Sequence, residues 1–223
     1  MFPVVFIVMA WEAFLKLVRL TLLTVGHDLI YLSHLSGGFM LTLFYLSIAY
    51  FLYVSRTDTK IYPDRGMEIF LPILATFWFL TYTLVELIPA TLNPWVLSPS
   101  VLAVIVPVGI CLNLVGLIVS LSGVFQLNRA FGVVVKINGV VTTGLYNVVR
   151  HPIYLGYLVV ATGFMLMNPR PFHWLAYGIA VVLQIWRALA EEKKLAQFSP
   201  AYREYMKRVP FLFPNVFQHL HKA

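Results

Sequence analysis

The sequence predicts an all-α integral membrane protein with about five transmembrane helices, an N-terminal amphipathic helix and a cytoplasmic C-terminal segment. Of its 223 residues, 60% are hydrophobic and only 11% are charged, whereas a soluble domain is roughly 45–50% apolar and about 25% charged. The apolar residues fall into runs of membrane length, and the basic residues cluster between those runs. These observations exclude an ordinary soluble domain, whose surface could not cover so large a core.

Five apolar runs are long enough to cross a bilayer, whose hydrocarbon core takes about 20 helical residues. The fourth run is the shortest, and the sequence NPRP at 168–171 joins it to the fifth. So tight a connection predicts a helical hairpin. The runs are 37–55, 68–91, 100–126, 152–168 and 172–190.

The N-terminal region is predicted to contain an interfacial helix. Glu12, Lys16 and Arg19 recur at i, i+4 and i+7 amid apolar side chains, so they share one helical face. Such a helix lies in the membrane surface. No basic stretch precedes the apolar start, so we do not interpret it as a removed signal peptide. The predicted single domain then comprises an N-terminal region, a transmembrane scaffold and a C-terminal core, at 1–36, 37–119 and 120–214.

The placement of lysine and arginine predicts the orientation in the membrane. If all five runs cross, the basic residues of loops 56–66 and 128–151 and of the tail from 187 fall on one side. The opposite loops carry only Arg170. Because basic loops stay in the cytoplasm, loop 128–151 and the tail should face each other there. The net charge of +7 then indicates the membrane surface as a partner, and not nucleic acid.

The stretch GLYNVVRHPIYLG at 144–156 places polar side chains at the start of the fourth run. Pro152 suits the first turn of a helix, and the residue before a proline, His151, is disfavoured from helical geometry. Arg150 and His151 should therefore lie where free backbone N–H groups attract an anion. Tyr146 and Tyr154 bracket this point. The alternative is that Arg150 is a snorkelling anchor and that the tyrosines belong to an interfacial belt.

The stretch RALAEEKKLAQFSPAYREYMKRVP at 187–210 follows the fifth run. Arg187 and Glu191 are spaced i, i+4 and can pair, and Glu192 points about 100° away around the helix. The two carboxylates could hold an ammonium or a sulfonium, could order one of the arginines, or could belong to a solvated helix end. The single cysteine, Cys111, excludes a disulfide within the chain. No HExxH, CxxC, GxSxG, P-loop or GxGxxG pattern occurs, and we predict no metal site.

Together these segments resemble a known superfamily. TTGLYNVVRHPIYLG at 142–156, followed by the Glu-Glu pair and Tyr-x-x-Tyr of RALAEEKKLAQFSPAYREYMKRVPFLFP at 187–214, is similar to the membrane methyltransferases. That group includes isoprenylcysteine carboxyl methyltransferases and phospholipid N-methyltransferases. The chain departs from the pattern in having FSPAYREY where a Phe-Gly turn is expected, and Leu145 and Asn147 where a proline and an arginine are common. The first 120 residues carry no matching motif.

The resemblance implies S-adenosyl-L-methionine as the methyl donor, bound at the cytoplasmic face between the C-terminal spans. It implies that Arg187 and Glu191 are catalytic, with Arg187 near the acceptor, and it leaves open whether Glu191 or Glu192 lies near the cofactor. Arg150 and His151 suit the carboxylate of the donor, and a glutamate suits its ammonium group. The implied cofactor-binding residues are Tyr146, Arg150, His151, Pro152, Tyr154 and Glu192.

The implied acceptor is the carboxylate of a prenylated cysteine, and a phospholipid amine or another lipophilic molecule is the alternative. A carboxylate is already ionised at neutral pH and needs no base, whereas an amine must lose a proton. A membrane enone or sterol reductase with a nicotinamide cofactor shares the architecture but not the reaction. A non-enzymatic anchor would tolerate alanine at Arg150 and Glu192. The expected partners are the lipophilic substrate and membrane lipids.

Overall fold

A computed structural model of the protein describes residues 97–127 and 140–214 continuously, together with isolated residues between 7 and 94. Four α-helices and one short 3₁₀ helix make up the two continuous segments, which contain no strand. The α-helices are α1 (Pro99–Leu127), α2 (Pro152–Met167), α3 (Pro171–Phe198) and α4 (Pro200–Arg208), and the 3₁₀ helix is Gly144–Asn147.

In this part of the chain, the apolar runs predicted at 100–126, 152–168 and 172–190 are helices. Ser100–Leu127 and Pro171–Phe198 are each long and apolar enough to cross a membrane, and Pro152–Met167 is a shorter apolar helix. Helix α3 continues beyond the last apolar run to Phe198. The runs at 37–55 and 68–91 and the N-terminal amphipathic helix lie almost entirely outside the described residues.

Glycines hold α1 and α2 in close antiparallel contact. Gly109, Gly116 and Gly123 recur every seven residues on α1, and Gly156 and Gly163 do so on α2. A Cβ atom added at Gly116 would lie 2.6 Å from the backbone nitrogen of Val160 and 2.7 Å from the carbonyl oxygen of Gly156. Because only a hydrogen atom fits between the two backbones, small residues are required at this interface. The contact fixes the height of the α2 N-terminus against α1.

A short connection joins α2 to α3. The backbone N–H of Asn168 donates to the carbonyl of Phe164 at 3.0 Å, and the N–H of Arg170 donates to the carbonyl of Asn168 at 2.8 Å. Pro171 then begins α3, where its missing N–H costs no helical hydrogen bond. Farther along the pair, the Thr162 and Tyr177 hydroxyls lie 2.8 Å apart. The sequence NPRP therefore makes the tight connection that was predicted.

Helix α4 turns the chain back toward the start of α2. Ser199 caps it by accepting from the backbone N–H of Tyr202 at 3.2 Å, and Pro200 occupies the first turn. Its last turn carries Lys207 and Arg208, which complement the helix dipole. The rings of Tyr202 and Tyr205 are buried beneath it and pack against Val209. This packing brings residues 206–212 against the α2 N-terminus.

Candidate active site

The loop before α2 is anchored to α1 by glutamine and glycine. The side-chain oxygen of Gln126 accepts from the backbone N–H of Leu145 at 2.7 Å. Gly144 has φ +60°, and a Cβ atom there would collide with the Gln126 side chain. The turn leads into the short 3₁₀ helix that buries Tyr146. The anchored loop thereby delivers Arg150 and His151 to the start of α2.

Hydrogen bonds hold both the hydroxyl and the backbone carbonyl of Tyr146. Its hydroxyl lies 3.4 Å from the Gly123 carbonyl, and its own carbonyl accepts from the Tyr205 hydroxyl at 2.5 Å. Burial is the main cause that raises the pKa of Tyr146 well above its ordinary value, and the nearby Glu191 carboxylate raises this pKa further. Burial likewise raises the pKa of Tyr205 to about 12. Both phenols are therefore protonated at neutral pH, and Tyr205 acts as a hydrogen-bond donor.

A buried charged cluster connects the α2 N-terminus to α3. One carboxylate oxygen of Glu192, Oε1, lies 2.7 Å from Arg150 Nε and 3.0 Å from His151 Nε2. The side chains of Arg150, His151 and Glu192 are only 12%, 4% and 7% exposed, so water screens this cluster little. His151 has φ −126°, outside the helical range as predicted before a proline, and Pro152 opens the helix. We name Arg150, His151 and Glu192 the charged cluster.

Residues of the last turns of α4 and of the segment after it hold Arg150 in place. Its Nη1 donates to the Met206 carbonyl at 2.8 Å, and its backbone N–H donates to the Pro210 carbonyl at 2.9 Å. The guanidinium carbon also lies 5.7 Å from the centre of the Phe211 ring, within the range of a cation–π contact. Arg150 is thus held by contacts on several sides and is not a loose snorkelling anchor.

A second polar group lies beside the charged cluster, one turn away on α2. The Tyr154 hydroxyl donates to Glu191 Oε2 at 2.7 Å. The guanidinium carbon of Arg187 lies 5.4 Å from the centre of the Tyr154 ring, and the His151 ring lies 5.3 Å from the same ring. Tyr154 therefore joins Arg187 and Glu191 to the charged cluster.

The structure brings most of the predicted residues together in two groups. Arg150 and His151 face Glu192, with Pro152 as the first helical residue, and Tyr154 contacts Glu191 and Arg187. Tyr146 lies behind them, toward α1, with its hydroxyl at backbone and not at the cluster. The sequence predicted that Arg150 and His151 bind an anion from outside the chain. In the structure, the Glu192 carboxylate already contacts both residues.

Sequence reasoning missed the contribution of the C-terminal tail. Met206, Pro210 and Phe211 contact Arg150, and Phe211 also meets His151 edge-on with ring centres 5.1 Å apart. The sequence VPFLFP at 209–214 could have indicated this contribution. Two prolines and two aromatic residues after the basic end of a helix are typical of a fixed extended segment. Nothing in that pattern indicated which helix it contacts.

The chain is similar in sequence to known methyltransferases. The phospholipid methyltransferase family matches residues 104–199, which include most of α1 and all of α2 and α3. This match supports the superfamily that the sequence resembles. The match to this methyltransferase family includes the charged cluster, Tyr154, Arg187 and Glu191, but ends before α4 and the tail.

The proteins to which this chain is similar in sequence are named as methyltransferases. Protein-S-isoprenylcysteine O-methyltransferase B of Arabidopsis thaliana is 32% identical over 119 residues, which are 48% of this chain and 58% of the relative. The human protein-S-isoprenylcysteine O-methyltransferase is 36% identical over 84 residues, 34% of this chain and 28% of the relative. Methanethiol S-methyltransferase 2 of Bradyrhizobium diazoefficiens is 35% identical over 75 residues, 33% of this chain and 28% of the relative. The chain spans less than two thirds of each.

Proposed function

We propose that the protein transfers a methyl group from S-adenosyl-L-methionine to the carboxylate of a prenylated cysteine held in the membrane. The observation that carries this proposal is the buried cluster of Arg150, His151 and Glu192 beside Tyr154. It combines donors, an acceptor and aromatic faces at one helix N-terminus. The similarity to isoprenylcysteine methyltransferases supports the choice of acceptor.

The residues of the charged cluster suit the methyl donor. S-adenosyl-L-methionine carries a carboxylate, an ammonium and a sulfonium, and when bound it supplies an electrophilic methyl group. Arg150 and His151 offer N–H donors for a carboxylate, and Glu192 offers an acceptor for an ammonium. The rings of Tyr154 and Phe211 offer faces that attract a cation. In this proposal Tyr146 supports the loop, and Pro152 leaves the helix N-terminus open to an anion.

Arg187 is the proposed acceptor-binding residue. A guanidinium binds a carboxylate through two parallel hydrogen bonds, which fixes the direction of the attacking oxygen. Glu191 acts here as a positioning residue, because it accepts from the Tyr154 hydroxyl and so holds the ring over which Arg187 lies. The acceptor carboxylate is already ionised, so no base is required. Alignment and exclusion of water are the main contributions of the chain.

A second candidate is the methylation of a phospholipid amine, which the description of the matching family favours. A protonated amine must lose a proton before it attacks. His151 and Glu191 are side chains of the site that could accept that proton. Incubation with N-acetyl-S-farnesylcysteine or with phosphatidylethanolamine, followed by mass spectrometry, separates the two. A methyl ester on the first compound supports the proposal, and a methylated amine alone refutes the carboxyl acceptor.

Binding of S-adenosylhomocysteine to the purified full chain in detergent, measured by calorimetry, tests the donor. We expect micromolar binding that His151→Ala abolishes. Lys207→Ala is the matched control, because Lys207 is 69% exposed and pairs only with the nearby Glu204 among the contacts described. Failure of the well-folded wild-type protein to bind would refute the methyltransferase proposal and direct attention to nicotinamide cofactors.

The proposed core at 120–214 faces the cytoplasm, with the remaining spans anchoring it as a multi-pass protein. The support is the positive charge of loop 128–151 and of the tail from 187. A cysteine introduced at the exposed Glu204, in a Cys111→Ser background, tests the orientation. In right-side-out vesicles it should resist a membrane-impermeant thiol reagent, and labelling of intact vesicles would refute this topology.

A further inference from the structure

Phe211 contacts both the charged cluster and an apolar crevice. One set of contacts joins its ring to His151, with ring centres 5.1 Å apart, and to the guanidinium of Arg150 at 5.7 Å. It also lines a narrow crevice between α2 and α3. No other side chain in the two continuous segments that the structure describes is seen to contact both the Arg150 guanidinium and this crevice.

Most of the side chains that line this crevice are apolar, and in this structure it is too narrow to hold even a water molecule. Leu158 of α2 and Ile185 and Ala188 of α3 line it together with Leu212, and Gln184 is a buried polar residue in its lining. Tyr154 also lines it, and the same ring carries Arg187 over one face. An acceptor whose carboxylate meets Arg187 would therefore place its apolar chain along Phe211.

The backbone next to Phe211 is hydrogen-bonded to Arg150. The adjacent Pro210 carbonyl accepts from the Arg150 backbone N–H at 2.9 Å, and the Met206 carbonyl accepts from its Nη1 at 2.8 Å. Leu212, the next residue, is buried against Tyr154 and Ala188. A displacement of the Phe211 ring by a chain in the crevice is therefore transmitted to the guanidinium and to the imidazole that both contact Glu192.

We propose that Phe211 is a positioning residue that couples occupancy of the apolar crevice to the geometry of the charged cluster. The inference rests on the proposed function and deepens it, because it assigns the apolar part of the acceptor to this crevice. Each ligand then favours the arrangement of Phe211 that the other requires. Such coupling is reciprocal, so the acceptor tightens donor-site binding by the same factor as the donor tightens acceptor binding.

Calorimetry with two non-reacting ligands measures the coupling. S-adenosylhomocysteine carries no transferable methyl group, so its Kd can be measured with and without saturating N-acetyl-S-farnesylcysteine. The wild-type ratio of the two values is expected to be about fivefold or more. Phe211→Leu should bring this ratio close to one and weaken binding of S-adenosylhomocysteine alone about three- to tenfold, through lost aromatic and cation–π contacts.

Phe213→Leu is the matched control, because this phenylalanine lies two residues away and is 69% exposed. It should retain the wild-type ratio, and Phe211→Trp should restore most of it, which a merely structural loss would not do. A wild-type ratio of one, or a Phe211→Leu ratio equal to that of the wild type, overturns the inference while leaving the methyltransferase proposal standing. Failure of the wild-type protein to bind S-adenosylhomocysteine would refute both.

Discussion

Replacing Glu192 by glutamine removes a negative charge from between Arg150 and His151 while it preserves the shape of the side chain. The carboxylate oxygen lies 2.7 Å from Arg150 Nε and 3.0 Å from His151 Nε2, and all three side chains are at most 12% exposed. Removing one partner of a buried ion pair costs about 3–5 kcal/mol. Glutamine retains one acceptor oxygen, so we expect a loss of about 2–3 kcal/mol in the free energy of unfolding.

Glu204→Gln is the matched control for this substitution. The Glu204 carboxylate also accepts from a basic side chain, Lys207, at 2.8 Å, but it is 66% exposed. Because exposed pairs contribute about 0–1 kcal/mol, its loss should be small. Thermal unfolding in detergent and binding of S-adenosylhomocysteine compare the two variants. We expect Glu192→Gln to weaken binding about tenfold or more, through a lost charge-assisted hydrogen bond. Equal effects of the two variants would refute the reasoning.

Three further predictions concern the elements that support the site. Gly116→Ala places a Cβ atom 2.6 Å from the α2 backbone and should lower the free energy of unfolding by about 1–3 kcal/mol. Gly178→Ala is the control and should not lower it, because a Cβ atom there meets no atom within 4 Å. Equal melting temperatures of the two variants would contradict the role of Gly116 in helix packing. Tyr154→Phe removes the hydrogen bond to Glu191 and should raise the KM for the acceptor more than it lowers kcat, and an unchanged KM would count against the role of Arg187. Burial raises the pKa of Tyr205 to about 12, so the protonated phenol stabilises the fold fully below its ordinary pKa near 10, and this contribution is lost as the pH rises toward 12. In alkaline unfolding, Tyr205→Phe should therefore lose stability less steeply than the wild type over that pH range. Identical pH profiles of the two proteins would contradict this role of Tyr205.

Local rules predicted the start of α2, whereas hydropathy predicted the extent of the last apolar run and not that of its helix. Pro152 at the first turn and a non-helical His151 follow from the proline ring alone. The apolar run ends at 190 because hydropathy falls there, but the Glu, Lys, Leu, Ala and Gln residues that follow are all good helix formers. The helix therefore runs on to Phe198, and Ser199 with Pro200 starts the next one. Glu191 and Glu192 thus lie inside α3 and not at its end.

The partners within the site depended on contacts between distant parts of the chain, which no local pattern encodes. His151 and Glu192 are 41 residues apart in sequence, and Arg150 and Met206 are 56 apart. The sequence indicated that both segments lie near the same membrane surface, and the resemblance indicated that they act together. It did not indicate that Glu192 would bind both Arg150 and His151, because that pairing depends on how far α3 extends and on where the tail returns.

The glycine interface between α1 and α2 determines where the charged cluster lies. Gly123 is the residue at which two supports of the site meet: its carbonyl faces the Tyr146 hydroxyl at 3.4 Å, and a Cβ atom on it would lie 2.8 Å from the Ile153 side chain. The loop before α2 and the first turn of α2 therefore both contact α1 at the same residue. A shift of α2 along α1 would move Arg150 and His151 relative to α3, where Glu192 is fixed. Because His151 Nε2 lies 3.0 Å from Glu192 Oε1, a displacement of about 1 Å would take this contact beyond hydrogen-bond distance. Close packing of α1 against α2 thus controls the geometry of the polar site at the start of α2.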